Sequence, residues 1–261
     1  MALFVLGDTH LSFTVNKPMN IFGTGWENHA EKICRQWNQA VTQQDTVVLA
    51  GDISWAMTLE EAKADFLFLH QLPGRKIILK GNHDYWWTTA AKLTRFFETN
   101  GWNDFSILYN NAAVVENRAI CGTRGWNIDL PGEQDQKIIR REVQRLALSL
   151  QAAPEDLEKI VFFHYPPVGA LGSPFLPLLK KYRVRQCYFG HLHGEAARRM
   201  QPFEKDGIRF SLISADALHF QPYEITPDFA GEQTSCGPNH QNGQKEASFW
   251  RKLLSLFKSK C

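Results

Sequence analysis

Five short apolar runs in this chain each end on side chains of the kind that bind metal ions. Leu3 to Leu6 runs into Asp8 and His10, and Thr46 to Ala50 runs into Gly51-Asp52. Lys76 to Leu79 leads to Gly81-Asn82-His83-Asp84, Lys159 to Phe163 to His164, and Val184 to Phe189 to Gly190-His191-Leu192-His193-Gly194. Such runs read as strands covered on both faces, because both sides of the pleat are apolar. In open α/β sheets the carboxyl ends of the strands converge on the crevice where ligands bind. Taken singly, each motif reads as a turn. Together they place Asp8, His10, Asp52, Asn82, His164, His191 and His193 at strand ends, where carboxylates and imidazoles buried without partners would be costly. A shared metal site removes that cost.

Local chemistry supports the same reading. Asp8 and His10 are two apart, so in extended backbone both side chains leave on one side. Asn82 offers a hard cation an amide oxygen, His83 exchanges protons near neutral pH, and Asp84 is placed to hold the imidazole in one tautomer. His191 and His193 are also two apart, and glycines on either side let backbone approach closely.

Between the strands, helical spacing is expected over Glu27 to Gln43, from Thr58 onward with a Thr58/Glu61 capping box, over Thr88 to Asn100, and over Asp135 to Gln151. Ser12 to Trp26, with Pro18, Gly23 and Gly25, reads as a long loop over the site rim that carries Lys17 as an anion contact. Arg124, between glycines at a strand end, is a second candidate phosphate clamp. His29 reads as solvated, His70 as a charge partner for its helix C-terminus, and Asp216 and His219 as structural. Residues 1–225 form the expected domain, 226–246 a polar linker, and 247–261 a basic amphipathic helix. Trp250, Leu253, Leu254 and Phe257 form one stripe of that helix, which suits docking on the domain or peripheral contact with an anionic membrane.

Composition excludes several classes. A net charge of +2, from 29 basic and 27 acidic residues, leaves no footprint for duplex nucleic acid. Cys34, Cys121, Cys187, Cys236 and Cys261 form no Cys-x-x-Cys pair, which argues against a disulfide framework or thiolate zinc site and fits a reducing, cytoplasmic setting. The opening segment meets Gly7-Asp8 too early for a signal peptide or membrane span.

The ordered set Asp-x-His, Gly-Asp, Gly-Asn-His-Asp, a lone His after a strand, and Gly-His-x-His resembles the calcineurin-like metallophosphoesterase superfamily over about residues 1 to 220. The wording Gly51-Asp52-Ile53-Ser54-Trp55-Ala56-Met57 is similar to a bacterial subgroup of predicted phosphohydrolases. The resemblance implies an α/β (α+β) fold, a four-layer α/β/β/α sandwich of two facing mixed β-sheets flanked by helices. It further implies two divalent metal ions, one held by Asp8, His10, Asp52 and His193, the other by Asp52, Asn82, His164 and His191. A hydroxide bridging the metals would cleave a phosphate mono- or diester of a small molecule, nucleotide or lipid head group. Mixed nitrogen and oxygen ligands suit manganese, iron or zinc. His83 is then the leaving-group acid, with Asp84 orienting its ring.

This chain departs from the protein-phosphatase branch, which carries Gly-Asp-x-x-Asp-Arg-Gly and Gly-Asn-His-Glu, so a phosphoserine phosphatase is disfavoured. A metal-dependent nuclease and a non-catalytic metal-binding scaffold are the rival readings. Against the first stands the lack of a basic, aromatic-lined track for a nucleic-acid strand.

Overall fold

In a computed structural model, which describes residues 1–129, 132–170 and 172–226, the apolar runs bury alternate side chains in two different cores. In β1 (Leu3–Leu6), Leu3 and Val5 enter one core while Phe4 and Leu6 enter another. Continuous apolarity is therefore the signature of a strand with packing on both faces.

The first half of the chain alternates strand and helix: α1 (His29–Ala40), β2 (Thr46–Ala50), α2 (Lys63–Gln71), β3 (Arg75–Leu79), α3 (Ala90–Thr99) and β4 (Phe105–Ile107). The second half contains β5 (Ala113–Val115), β6 (Arg118–Thr123), α4 (Glu133–Gln151), β7 (Glu158–Phe163), α5 (Leu176–Lys181), β8 (Gln186–Phe189), α6 (Gly194–Arg199), β9 (Phe203–Lys205), β10 (Ile208–Leu212) and β11 (Tyr223–Glu224). Two sheets result, ordered β11-β1-β2-β3-β4 and β5-β6-β7-β8-β10-β9. β1 to β4 pair in parallel, as do β6, β7, β8 and β10, while β11, β5 and β9 pair antiparallel at edges.

The sheets face each other. Val48, Ala50, Ile77 and Leu79 of the first sheet share a core with Ile120, Ile160, Phe162 and Tyr188 of the second. Helices α1 to α3 cover the outer face of the first sheet around Trp37, Phe66 and Phe97. Helices α4 to α6 cover the second around Leu146, Phe163, Phe175 and Phe210. This is the expected four-layer sandwich, with parallel strands in each sheet ending at one rim.

Some expectations need correction. The segment 12–26, expected as a loop without an α-helix, has none, but two short 3₁₀ turns, Met19–Phe22 and Thr24–Trp26, order part of it. The Thr58/Glu61 capping bonds form, at 3.2 and 3.3 Å, yet they close a turn, and α2 begins only at Lys63. His70 is not simply a partner for its helix end: its Nδ1 lies 2.7 Å from the Asp104 carboxylate. Cys34, Cys121 and Cys187 are free thiols. Apart from Thr226, the expected linker and amphipathic helix lie outside the described residues. Among those described, no helix is long and apolar enough to cross a membrane.

Candidate metal centre

The rim is sewn together by backbone before any side chain is considered. Gly7 N donates to Ile213 O across the two sheets at 2.8 Å, Asp8 N to Gly51 O at 2.9 Å, and His10 N to Asp52 O at 2.9 Å. Asp8, His10, Asp52 and His191 hold φ of 58°, 45°, 50° and 73°. Left-handed backbone is unfavourable for residues with a Cβ and clusters at functional sites. The expectation of extended backbone between Asp8 and His10 is thus wrong, although both side chains do reach the same place. Glycines make the approach close: a Cβ on Gly81 would overlap the Asp52 carboxylate, and one on Gly190 would overlap that of Asp8.

Two overlapping groups of ligand atoms result, Asp8 with His10 and His193, and Asp8 with Asp52 and His164, the atoms of each lying within 4.8 Å of one another. His10 Nε2 is 3.3 Å from His193 Nε2 and 3.8 Å from Asp52 Oδ2. On the other side, His164 Nε2 is 2.6 Å from Asn82 Oδ1 and 3.4 Å from Asp52 Oδ1. Asp52 therefore stands between the halves. The His191 ring lies beside His164, with centroids 5.2 Å apart, and its backbone N–H donates to the Asp8 carboxylate at 3.1 Å. All seven sequence-derived candidates meet at this rim.

Electrostatics test whether cations fit here. Burial pulls the pKa of His10 well down, with neighbouring imidazoles adding to it, and brings His164 and His191 to about 3, so these rings offer neutral lone pairs. Burial pushes Asp52 well above the carboxylate range, with Asp84 and Asp8 adding repulsion. Burial would lower His193, but the Asp8 and Asp216 carboxylates prevail and raise it to about 10. Crowded carboxylates thus draw a proton onto His193, and a metal ion supplies the same positive charge without one. Nitrogen and carboxylate donors, neutral rings and crowded negative charge together fit divalent cations.

His83 sits on the rim of this group with its side chain 34% exposed, Nε2 3.9 Å from Asp52 Oδ2 and Nδ1 3.4 Å from the Tyr85 hydroxyl. Asp84 does not orient it. The fully buried Asp84 carboxylate accepts from the backbone N–H groups of Gly81, Asp52, Ile53 and Ser54, and from Trp86 Nε1. It ties the loop after β3 to the loop after β2, and burial raises its pKa to about 6 despite those donors. The tight turn sends its side chain back toward β2, away from the ring beside it in sequence.

Lys17 is exposed on the rim loop with Nζ 5.9 Å from the Trp55 ring, and its charge helps lower the pKa of His83, after burial and His193. Arg124 is engaged elsewhere. Its guanidinium lies 3.6 Å from the buried Glu142 and over the Trp126 ring at 4.6 Å, while its backbone carbonyl accepts from His164 N and Tyr165 N. His29 is not solvated, since Nε2 contacts the His10 carbonyl at 3.1 Å. Asp216 is more than structural padding: it bonds His193 Nδ1 at 3.0 Å and Gly194 N at 2.8 Å. A weaker signal was present, because Ser214-Ala215-Asp216 follows the strand Ile208–Leu212, in which apolar residues alternate with Arg209 and Ser211. His219 is exposed with φ 52°, and its backbone N donates to Asp216 O at 3.4 Å.

Comparison with known proteins agrees with this geometry. A family model described as calcineurin-like phosphoesterase matches residues 1–195. None of the curated proteins matches the sequence. Among solved structures, phosphopantetheinyl hydrolase (PptH) from Mycobacterium tuberculosis superposes with TM-score 0.56 at 13% identity, covering 91% of this chain and 98% of that one. The protein TT1561 of Thermus thermophilus superposes with TM-score 0.52 at 11% identity, covering 86% and 97%. At these identities the likeness is one of fold.

Proposed function

The chain belongs to the calcineurin-like phosphoesterase family and is a metal-dependent phosphohydrolase, and from this we propose that it works through a dinuclear centre on a small phosphate ester. Asp8, His10, Asp52 and His193 would hold one ion, and Asp52, Asn82, His164 and His191 the other. The observation that carries this reading is the place of Asp52, 3.8 Å from His10 Nε2 and 3.4 Å from His164 Nε2 on its two oxygens. When bound, divalent ions supply Lewis acidity that polarises a phosphoryl oxygen and makes water a nucleophile at neutral pH. Nitrogen and oxygen donors favour manganese, iron or zinc for this role.

The remaining chemistry belongs to the chain. His83 Nδ1 lies 3.4 Å from the Tyr85 hydroxyl, and Nε2 is the nitrogen that faces Asp52 and the centre. As an imidazolium, His83 would give its Nε2 proton to the leaving oxygen as the ester bond breaks and be left a neutral ring. Asp84 contributes by fixing the backbone that carries Asp52 and Asn82. Lys17 contributes positive charge at the rim, where a phosphate dianion approaches. Arg124, paired with Glu142, is held back from that task.

The test is elemental analysis of the manganese-, iron- or zinc-loaded protein together with turnover of nitrophenyl phosphate and bis-nitrophenyl phosphate. Two ions per chain and hydrolysis of at least one ester are expected. One ion per chain in the active protein would remove the dinuclear reading, and the ratio of the two rates assigns monoester or diester preference. Because one structural neighbour is named a phosphopantetheinyl hydrolase, a phosphopantetheinyl ester belongs in the substrate panel beside nucleotides, lipid phosphates and an oligonucleotide.

A further inference from the structure

His10 and His83 share a feature: neither ring is held by a strong hydrogen bond on its second nitrogen. A metal-ligating histidine is usually oriented by a carboxylate, carbonyl or water on its other nitrogen, and His193 follows that rule through Asp216. His10 Nδ1, by contrast, is buried with no hydrogen-bond partner among the described residues. His83 has only the 3.4 Å contact with Tyr85, and Asp84 faces away from it.

What both rings do share is the indole of Trp55. It stacks on His10 with centroids 4.9 Å apart and planes at 19°, and it meets His83 at 4.3 Å with planes tilted by 42°. The indole is itself anchored at three points. Trp55 N donates to Leu11 O at 2.9 Å, which ties its backbone to the residue after His10. Nε1 donates to Met19 Sδ at 3.1 Å, and Lys17 Nζ stands 5.9 Å from the ring centroid. Trp26 closes the opposite side of His10, edge-on at 5.8 Å. The half-buried Trp55 is thus a plate on which a candidate ligand and the candidate acid both pack, their own rings 5.9 Å apart.

We propose that Trp55 is a positioning residue that sets the ring orientation of both His10 and His83, and so links metal retention to leaving-group protonation. The inference rests on the dinuclear reading for His10 and on the acid reading for His83. Orientation by ring packing replaces orientation by hydrogen bonding, because an indole face restricts both tilt and slide of a stacked imidazole. A misplacement of about 1 Å at a catalytic group costs about a hundredfold in rate, and loosening a ligand's outer support costs about 10- to 100-fold in metal affinity.

Trp55→Phe and Trp55→Leu in the full chain separate this role from simple packing. The phenylalanine keeps a stacking face, and the leucine does not. We expect Trp55→Leu to bind Mn²⁺ about tenfold more weakly in equilibrium dialysis. At saturating Mn²⁺ it should lose about tenfold more rate on an alkyl phosphate than on the nitrophenyl ester. Trp55→Phe should stay within about threefold of the parent in both measurements, as a retained aromatic stack predicts. Trp55→Met serves as the second non-aromatic variant should the leucine fail to fold.

His83→Ala run in parallel keeps the two readings apart. If it shows the leaving-group asymmetry and Trp55→Leu does not, the positioning role is overturned. Where His83→Ala shows no asymmetry, the acid reading fails by itself, and Mn²⁺ affinity alone decides the inference. Unchanged Mn²⁺ affinity in Trp55→Leu overturns it in either case.

Discussion

The two ends of β3 both bury ionisable groups, and they treat charge in opposite ways. At the N-terminal end Lys76, 1% exposed, reaches the Asp104 carboxylate at 2.8 Å and the Leu72 carbonyl at 2.5 Å. His70 approaches the other oxygen of the same carboxylate. Burial lowers the Lys76 pKa, and Asp104 opposes that shift, so the cluster balances itself. At the C-terminal end Asp8, Asp52 and Asp84 crowd together among imidazoles of which three are neutral, and burial drives the pKa of Asp52 up, with repulsion from Asp84 and Asp8 that His193 offsets only in part. A structural ion cluster closes on its own partners. A centre built for a ligand leaves its charge open.

The sharpest way to break this contrast is Asp52→Asn. It removes the carboxylate between the two halves, and the loss of turnover and of metal should exceed the roughly 10- to 100-fold seen when only a ligand's support is removed. Full metal occupancy in this variant would contradict the shared-ligand role. Next in size, His83→Ala should cost about 10²- to 10⁴-fold on an alkyl phosphate, and much less on a nitrophenyl ester, whose leaving group needs no proton. Equal losses on both esters would remove the acid.

At the other end of β3, Asp104→Ala should leave activity per folded molecule unchanged while lowering stability by about 2 kcal/mol in urea unfolding. Breaking a buried pair costs about 3–5 kcal/mol, discounted here because the Asp104 side chain is 22% exposed. A comparable loss of activity per folded molecule would show that the two ends are not independent. The smallest effect is expected from Lys17→Ala, a rise of a few-fold in KM for a phosphate ester with kcat retained, since an exposed charge in water contributes little. An unchanged KM would take Lys17 out of substrate binding.

Much of the rim was legible in one dimension. An apolar run that stops at a ligand-type residue is a local pattern, and Asp8, Asp52, Asn82, His164 and His191 each carry it. Roles that depend on where a side chain turns were not legible in the same way. Asp84 follows His83 in the chain, which suggested a bond between them. Its carboxylate instead serves backbone groups of residues 52 to 54, about thirty positions earlier. Glu142 shows the same limit: it belongs to a helix rich in charged residues, yet it is buried against Thr123, Arg124 and Arg145.

What the amino-acid order by itself determined is the five doubly buried strands and the donors at their ends, because burial on both faces and strand termination are set by neighbours along the chain. Tertiary structure alone decided the left-handed backbone at four of the candidate ligands, the bond between His193 and Asp216, and the indole that His10 and His83 share. The rim as a whole joins residues up to 183 positions apart, as where His10 meets His193. Contacts at that range follow from how two sheets meet at a rim, which no local window of sequence contains.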